Sequence, residues 1–130
     1  TTVGDVSDAM FNEQLAKIEK RDREHIIVFE RLNPADRKEG EPEVLACATL
    51  VVEHKFIHGG RAVGHIEDIV VDSSTRGSGL GKLMISRLTD MAQGAGCYKS
   101  ILNCSHHNVG FYERCGYKSK EVSMAKYLDH

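Results

Sequence analysis

Gly77, Gly79 and Gly81, three glycines in five positions, stand between a β-rich run and an amphipathic run. No other feature restricts the fold as much. The run before them, His65 to Asp72, carries Ile66, Ile69, Val70 and Val71. The run after them carries Leu80, Leu83, Met84, Leu88 and Met91 on one helical face. A strand that passes through glycines into a helix aims the helix's first unpaired N–H groups at whatever sits in the turn, which makes a general phosphate trap. The segment Ser73-Ser74-Thr75-Arg76-Gly77-Ser78-Gly79-Leu80-Gly81-Lys82 thus predicts a strand–turn–helix unit of an α/β domain.

Spacing restricts which phosphate such a turn holds. A Walker loop needs four residues between its glycine and Gly-Lys, followed by Ser or Thr; here Gly77 and Gly81 enclose three, and Leu83 follows Lys82. A dinucleotide fingerprint needs a third glycine where Lys82 stands, in the first unit of a repeated βαβ fold. Neither pattern fits.

The remainder of the chain supplies one domain around this unit. A length of 130 residues suffices for one core. Hydrophobic and charged shares of 41% and 28% argue against disorder, and a net charge of -2 gives no overall positive field for a nucleic acid or an anionic membrane. No apolar run reaches the roughly 20 residues of a membrane span, and the N-terminus shows no signal-peptide pattern, so a cytoplasmic location is expected. Cys47, Cys97, Cys104 and Cys115 lack close pairing and read as reduced core residues. Cys97, Cys104, His106 and His107 do not have the spacing of a structural zinc site, and no metal is expected.

Ser7 or Asp8 can cap a helix built on Met10, Phe11, Leu15 and Ile18, which ends in the charged run Glu19 to Glu24. Strands are expected over His25 to Leu32 and Val44 to Val52, joined across the turn-rich Asn33 to Pro42, and again over His65 to Asp72. In the last of these the apolar alternation slips at Ile69 to Val71, as at a bulge or a fully buried stretch. The helix from Leu80 ends at Gly94 and Gly96. Tyr98 to Cys104 is a strand, Asn108 to Cys115 a short helix, and Tyr117 to Tyr127 a last strand or strand pair. This order describes an α/β (α+β) domain around a mixed sheet.

Arg76-Gly77-Ser78-Gly79-Leu80-Gly81 resembles the Arg/Gln-x-x-Gly-x-Gly/Ala motif of the GCN5-related N-acetyltransferase (GNAT) superfamily, whose turn holds the pyrophosphate of acetyl-CoA. Three further stretches are similar to one branch of it, the glucosamine-6-phosphate N-acetyltransferases, in that branch's order and spacing. They are Glu53-His54-Lys55-Phe56-Ile57-His58, Gly64-His65-Ile66-Glu67-Asp68-Ile69-Val70-Val71, and Cys97-Tyr98-Lys99 through Asn108-Val109-Gly110-Phe111-Tyr112. The resemblance spans the whole chain. It implies the GNAT fold, a mixed, mostly antiparallel sheet flanked by helices, in a single domain over residues 1–130 that lacks the family's opening strand and helix.

The resemblance also implies a chemistry: direct acetyl transfer from acetyl-CoA to the amine of glucosamine 6-phosphate in a ternary complex, on the way to UDP-N-acetylglucosamine. CoA would run along the backbone of Ile69, Val70 and Val71, with its pyrophosphate against Arg76, Gly77, Ser78, Gly79, Leu80, Gly81 and Lys82. For Lys82 a solvated helix-start lysine is the other reading. Asn103 stands where relatives often have an acidic residue on the cofactor. Asn108 would bond the pantetheine arm, or simply cap a helix.

On the sugar side the resemblance brings in Thr1, Phe56, Ile57, Ile69 and Tyr98, with Lys55, His58 and Lys99 as basic candidates for the phosphate or hydroxyls. Glu67 and Asp68 lie where the amine must arrive. Consecutive residues of a regular strand cannot both face solvent, so one of these two is turned inward or sits at a bulge. Glu67 and the backbone at Asp68 would orient and help deprotonate the amine, a strand N–H would hold the oxyanion, and Tyr112 would protonate the departing sulfur. The plain reading of Tyr112 is a core aromatic beside Phe111. Family members dimerise, with a basic residue near the C-terminus reaching the partner's site; Lys126 occupies that neighbourhood. Two other functions remain open: acetylation of a different amine, and a non-catalytic acyl-CoA-binding module.

Overall fold

The computed structural model describes residues 4–129. The first helix, α1 (Asp8–Arg21), begins where the sequence places it, with Ser7 at the N-cap accepting a hydrogen bond from the Met10 N–H at 3.2 Å. Strands β1 (Glu24–Glu30) and β2 (Val44–His54) follow, then a single helical turn α2 (Ile57–Gly60) and strand β3 (Ala62–Val71). Beyond the glycine turn come α3 (Leu80–Gly94), β4 (Cys97–Leu102) and the short α4 (Val109–Arg114). The sheet runs β1-β2-β3-β4, antiparallel except for the parallel β3–β4 pair. This is the expected mixed, mostly antiparallel sheet flanked by helices.

Alternation along β2 makes the core. Ala46, Ala48, Leu50 and Val52 point to one face and are buried, while the residues between them are half-exposed on the other. Ile66, the cross-strand partner of Leu50, shares this face, and the inner side of α3, namely Met84, Ile85, Leu88 and Ala92, packs against it. Burying a side chain such as Leu50, Ile66 or Leu88 stabilises the fold by roughly 1.5–3 kcal/mol. The predicted face of α3 needs one change: Leu83 is 50% exposed, and Ile85 takes its place in the core. By contrast, α1 buries none of its residues.

Two further expectations are corrected. Cys104 is exposed instead of in the core. Residues 118–129 form no strand; they are exposed and pair with no described strand. Their alternating Val122, Met124 and Leu128 are 82–92% exposed. A strand needs an edge to bond to and a surface for its apolar face, and this segment meets neither within the protomer.

Candidate active site

The parallel pair β3–β4 runs in register only as far as Ile66 opposite Leu102, where β4 ends. Strand β3 continues to Val71, bonded to β2 alone. Over Glu67 to Val71 the backbone groups on the side away from β2 therefore have no strand partner among the described residues. A gap that opens where two parallel strands part is where an extended, amide-bearing ligand can complete the ladder.

A β-bulge sits at the head of this gap. Thr49 pairs with Glu67 and Cys47 with Val70, so Asp68 and Ile69 together oppose Ala48. Asp68 takes a left-handed φ of +50°, which aspartate tolerates better than most residues. The irregularity expected at Ile69 to Val71 thus begins one residue earlier. It also answers how consecutive carboxylates fit one strand, since both Glu67 and Asp68 are exposed.

The glycine turn lies at the same end of the sheet. Asp72 caps a short 3₁₀ turn at Ser73–Thr75, accepting from the Ser74 N–H at 3.0 Å and from its hydroxyl, which holds the Asp72 carboxyl below the usual range. Gly79 then occupies the N-cap of α3 at φ +82°, a conformation that favours glycine. Gly79 has no side chain to cap this helix, Ser78 Oγ accepts from the Leu80 N–H at 3.4 Å, and the first intrahelical bond is made by the Leu83 N–H to the Gly79 carbonyl at 3.1 Å. The N–H groups of Gly81 and Lys82 are left to meet an anion. Lys82 is exposed and makes no ion pair among the described residues.

Helix α4 lies against the start of α3. A Cβ at Gly81 would stand 3.2 Å from Cζ of Phe111, so α4 packs directly on the start of α3. This contact was not foreseen from the sequence. Tyr112 is half-buried between Phe111 and Tyr117, whose rings meet it edge-on at centroid distances of 5.0 and 6.4 Å. Burial pushes its phenol above the ordinary tyrosine range, helped by neighbouring Cys104, Cys115 and Tyr117, so the hydroxyl keeps its proton at neutral pH. Asn108 stands at the N-cap of α4 without capping it; its amide group donates to Ser105 Oγ at 3.2 Å. Asn103 is exposed in the loop after β4.

Four of the basic and aromatic candidates gather at the opposite end of β3. The His58 ring stacks on Tyr98 at 4.0 Å, and Lys99 Nζ lies 5.7 Å from the same ring's centroid. His58 holds a left-handed φ of +50° to reach it, a strained conformation for this residue. Lys55 is engaged by Glu53, whose other oxygen lies 2.7 Å from His65 Nε2. The Lys55 ammonium, and after it His65, hold the Glu53 carboxyl below its usual range, and Glu53 raises Lys55 in return. Glu53 and His65 are thus members of the cluster that sequence reasoning left out, because their contact spans two strands.

Other candidates stay apart from it. Phe56 is fully exposed, Ile57 largely so, and Lys126 lies in the exposed C-terminal segment. Thr1 falls outside the described residues. Among the described residues no group of three or more His, Cys, Asp or Glu is gathered for a metal, and no helix is long and apolar enough to cross a membrane.

A parting of parallel strands beside a bulge, with a glycine-turn helix start at the same end of the sheet, suits an extended ligand that carries an anionic group. The model of the Acetyltransferase (GNAT) family matches residues 3–117, and the chain belongs to this family, whose acetyltransferases use acetyl-CoA as co-substrate. The relatives narrow the likeness. Glucosamine 6-phosphate N-acetyltransferase of Arabidopsis thaliana is 38% identical over 130 residues, covering 99% of this chain and 83% of its own. The crystal structure of glucosamine-6-phosphate N-acetyltransferase from that plant matches with a TM-score of 0.86, over 99% of this chain and 84% of that one. The Candida albicans enzyme of the same name is 53% identical over 81 residues, which are 62% of this chain and 54% of that one. The matched segment thus spans about half of that relative.

Proposed function

We propose that this chain transfers the acetyl group of acetyl-CoA to the amine of glucosamine 6-phosphate, releasing CoA and N-acetylglucosamine 6-phosphate. The observation that carries the proposal is the open, bulged half of β3 at the same end of the sheet as the start of α3, on whose Gly81 Phe111 packs beside the half-buried Tyr112. The pantetheine amides complete the ladder along Ile69 to Val71, and the pyrophosphate meets the N–H groups of Gly81 and Lys82. The phosphate of the sugar goes to the Lys55, His58 and Lys99 cluster, where charge-assisted hydrogen bonds hold it.

Glu67 and the backbone at Asp68 orient the sugar amine, and the Glu67 carboxylate takes the ammonium proton. The amine nitrogen attacks the thioester carbon, and a strand N–H between Ile69 and Val71 holds the oxyanion. The C–S bond then breaks, Tyr112 gives its proton to the sulfur, and the proton that the nitrogen sheds as the amide forms restores the phenol through solvent. No acyl-enzyme is required. We also propose that the chain works as a homodimer in the cytoplasm: the exposed, apolar-alternating segment 118–129 finds its cover on a second copy, and Lys126 within it adds a cation to that copy's sugar-phosphate site.

The test is CoA-thiol release with glucosamine 6-phosphate, glucosamine and a polyamine as acceptors. Glucosamine 6-phosphate is expected to react far faster than glucosamine. Equal rates for the two sugars would remove the phosphate site, and acceptance of the polyamine alone would replace the sugar with another amine. No release with any acceptor would leave a binding module.

A further inference from the structure

Thr89 of α3, Ser100 of β4 and Tyr117 lie far apart in the sequence and meet at one point. Tyr117 Oη stands 2.7 Å from Ser100 Oγ and 3.1 Å from Thr89 Oγ1, and Thr89 Oγ1 lies 2.8 Å from the Ile85 carbonyl oxygen. Each hydroxyl carries one proton, and a carbonyl only accepts, so the directions are fixed. Thr89 donates to Ile85, Tyr117 therefore donates to Thr89, and Ser100 donates to Tyr117. The three groups are half-buried, where such a chain of bonds is stronger than at the surface.

The backbone of Tyr117 ties this anchor to α4. Its N–H donates to the Tyr112 carbonyl at 3.0 Å, and the Gly116 N–H donates to the Glu113 carbonyl at 3.0 Å, with Gly116 at φ +92°. These two bonds are a Schellman motif, in which the second residue past the cap, Tyr117, packs on the third from the helix end, Tyr112. The Tyr112–Tyr117 ring contact, at 75° between planes, is that packing.

We infer that Tyr117 is a positioning residue for Tyr112: its hydroxyl, fixed to α3 and β4, holds the ring against which the acid of the reaction leans. The inference rests on the proposed role of Tyr112. Tyr117 carries no proton to substrate; it makes the placement of Tyr112 depend on the helix that starts at the glycine turn. Misplacing a reacting group by about 1 Å lowers turnover by up to about a hundredfold, so losing one anchor of a packed ring is expected to take away about tenfold.

The experiment is a double-mutant cycle on kcat with Tyr117→Phe, Tyr112→Phe and both together. Tyr117→Phe is expected to lower kcat about tenfold while leaving the KM for acetyl-CoA within about twofold, and to have no further effect once Tyr112 is already Phe. Ser100→Ala, which removes only the donor to Tyr117, keeps the test open if Tyr117→Phe does not fold, and the same silence in the Tyr112→Phe background is expected. An equal loss in both backgrounds would mean that Tyr117 serves the fold in general and would overturn the inference, as would wild-type kcat in a folded Tyr117→Phe. Wild-type kcat in Tyr112→Phe alone is a separate failure: it removes the acid role itself, and the positioning role with it.

Discussion

From Ala62 to Ile66, β3 is bonded to β2 on one side and β4 on the other, and Ala62, Val63, Gly64 and Ile66 are buried. From Glu67 to Val71 the same strand is bonded to β2 alone, bulges at Asp68, and leaves Glu67, Asp68 and Val70 exposed. One half uses its backbone groups in the sheet on both sides, and the other leaves a row of them, where the proposed acetyl-CoA would bind. Stability and chemistry are divided along a single strand at the point where β4 ends. A site built this way borrows rigidity from the paired half, while its own groups stay accessible.

This division is broken most severely in the paired half. Ile66 is 2% exposed and packs in the core with Leu50, Met84 and Leu88. Ile66→Ala is expected to destabilise the protein by about 2–5 kcal/mol through lost burial and the cavity left behind. Val70, four residues on and 49% exposed, is the control: Val70→Ala is expected to cost less than about 1 kcal/mol. Urea denaturation of the two variants gives the comparison directly, and similar losses would show that the open half is as much a part of the core as the paired one.

The next largest effect falls on turnover. Tyr112→Phe keeps the ring that packs on Phe111 and Tyr117 and removes the hydroxyl alone. If that hydroxyl protonates the departing thiolate, kcat falls about a hundredfold with little change in acetyl-CoA affinity. The protonated form is the active one and burial raises its pKa, so the alkaline fall in wild-type kcat due to this group lies above the ordinary tyrosine range. A folded Tyr112→Phe with wild-type turnover would return Tyr112 to a packing role.

Much of this was legible in the sequence where the signal is local. The spacing of Met84 and Leu88, the glycines at 77, 79 and 81, and Ser7 ahead of α1 each act within a few residues, and each lands where expected. Leu83 and Ile85 were misjudged because a helical stripe of this width admits either residue, and only the angle at which α3 crosses the sheet chooses between them. The segment 118–129 carries a strand's alternation, but no local pattern can supply the edge it would bond to. Glu53 with His65, Phe111 against Gly81, and the Thr89–Tyr117–Ser100 hydroxyls are contacts between elements distant in the chain, which register and packing create.

The smallest expected effect sharpens the contrast inside the glycine turn itself, where two glycines two residues apart are glycine for different reasons. A Cβ at Gly79 would meet no protein atom within 4 Å, so the space beside it is open to ligand, but its φ of +82° strains any other residue. Gly79→Ala is therefore expected to lower stability by about 1–2 kcal/mol through that left-handed backbone. With the pyrophosphate held there as proposed, the added methyl is also expected to weaken acetyl-CoA binding by about tenfold, or about 1.4 kcal/mol. At Gly81 the φ is ordinary, and the obstacle is Phe111, whose Cζ would be 3.2 Å from the new Cβ. Gly81→Ala pushes on α4, which carries Tyr112, so its mark is expected on kcat more than on affinity. Isothermal titration with acetyl-CoA beside steady-state kinetics separates the two. If both variants lose affinity and neither loses turnover, Gly81 also serves only the phosphate cradle, and α4 does not transmit its position to the acid.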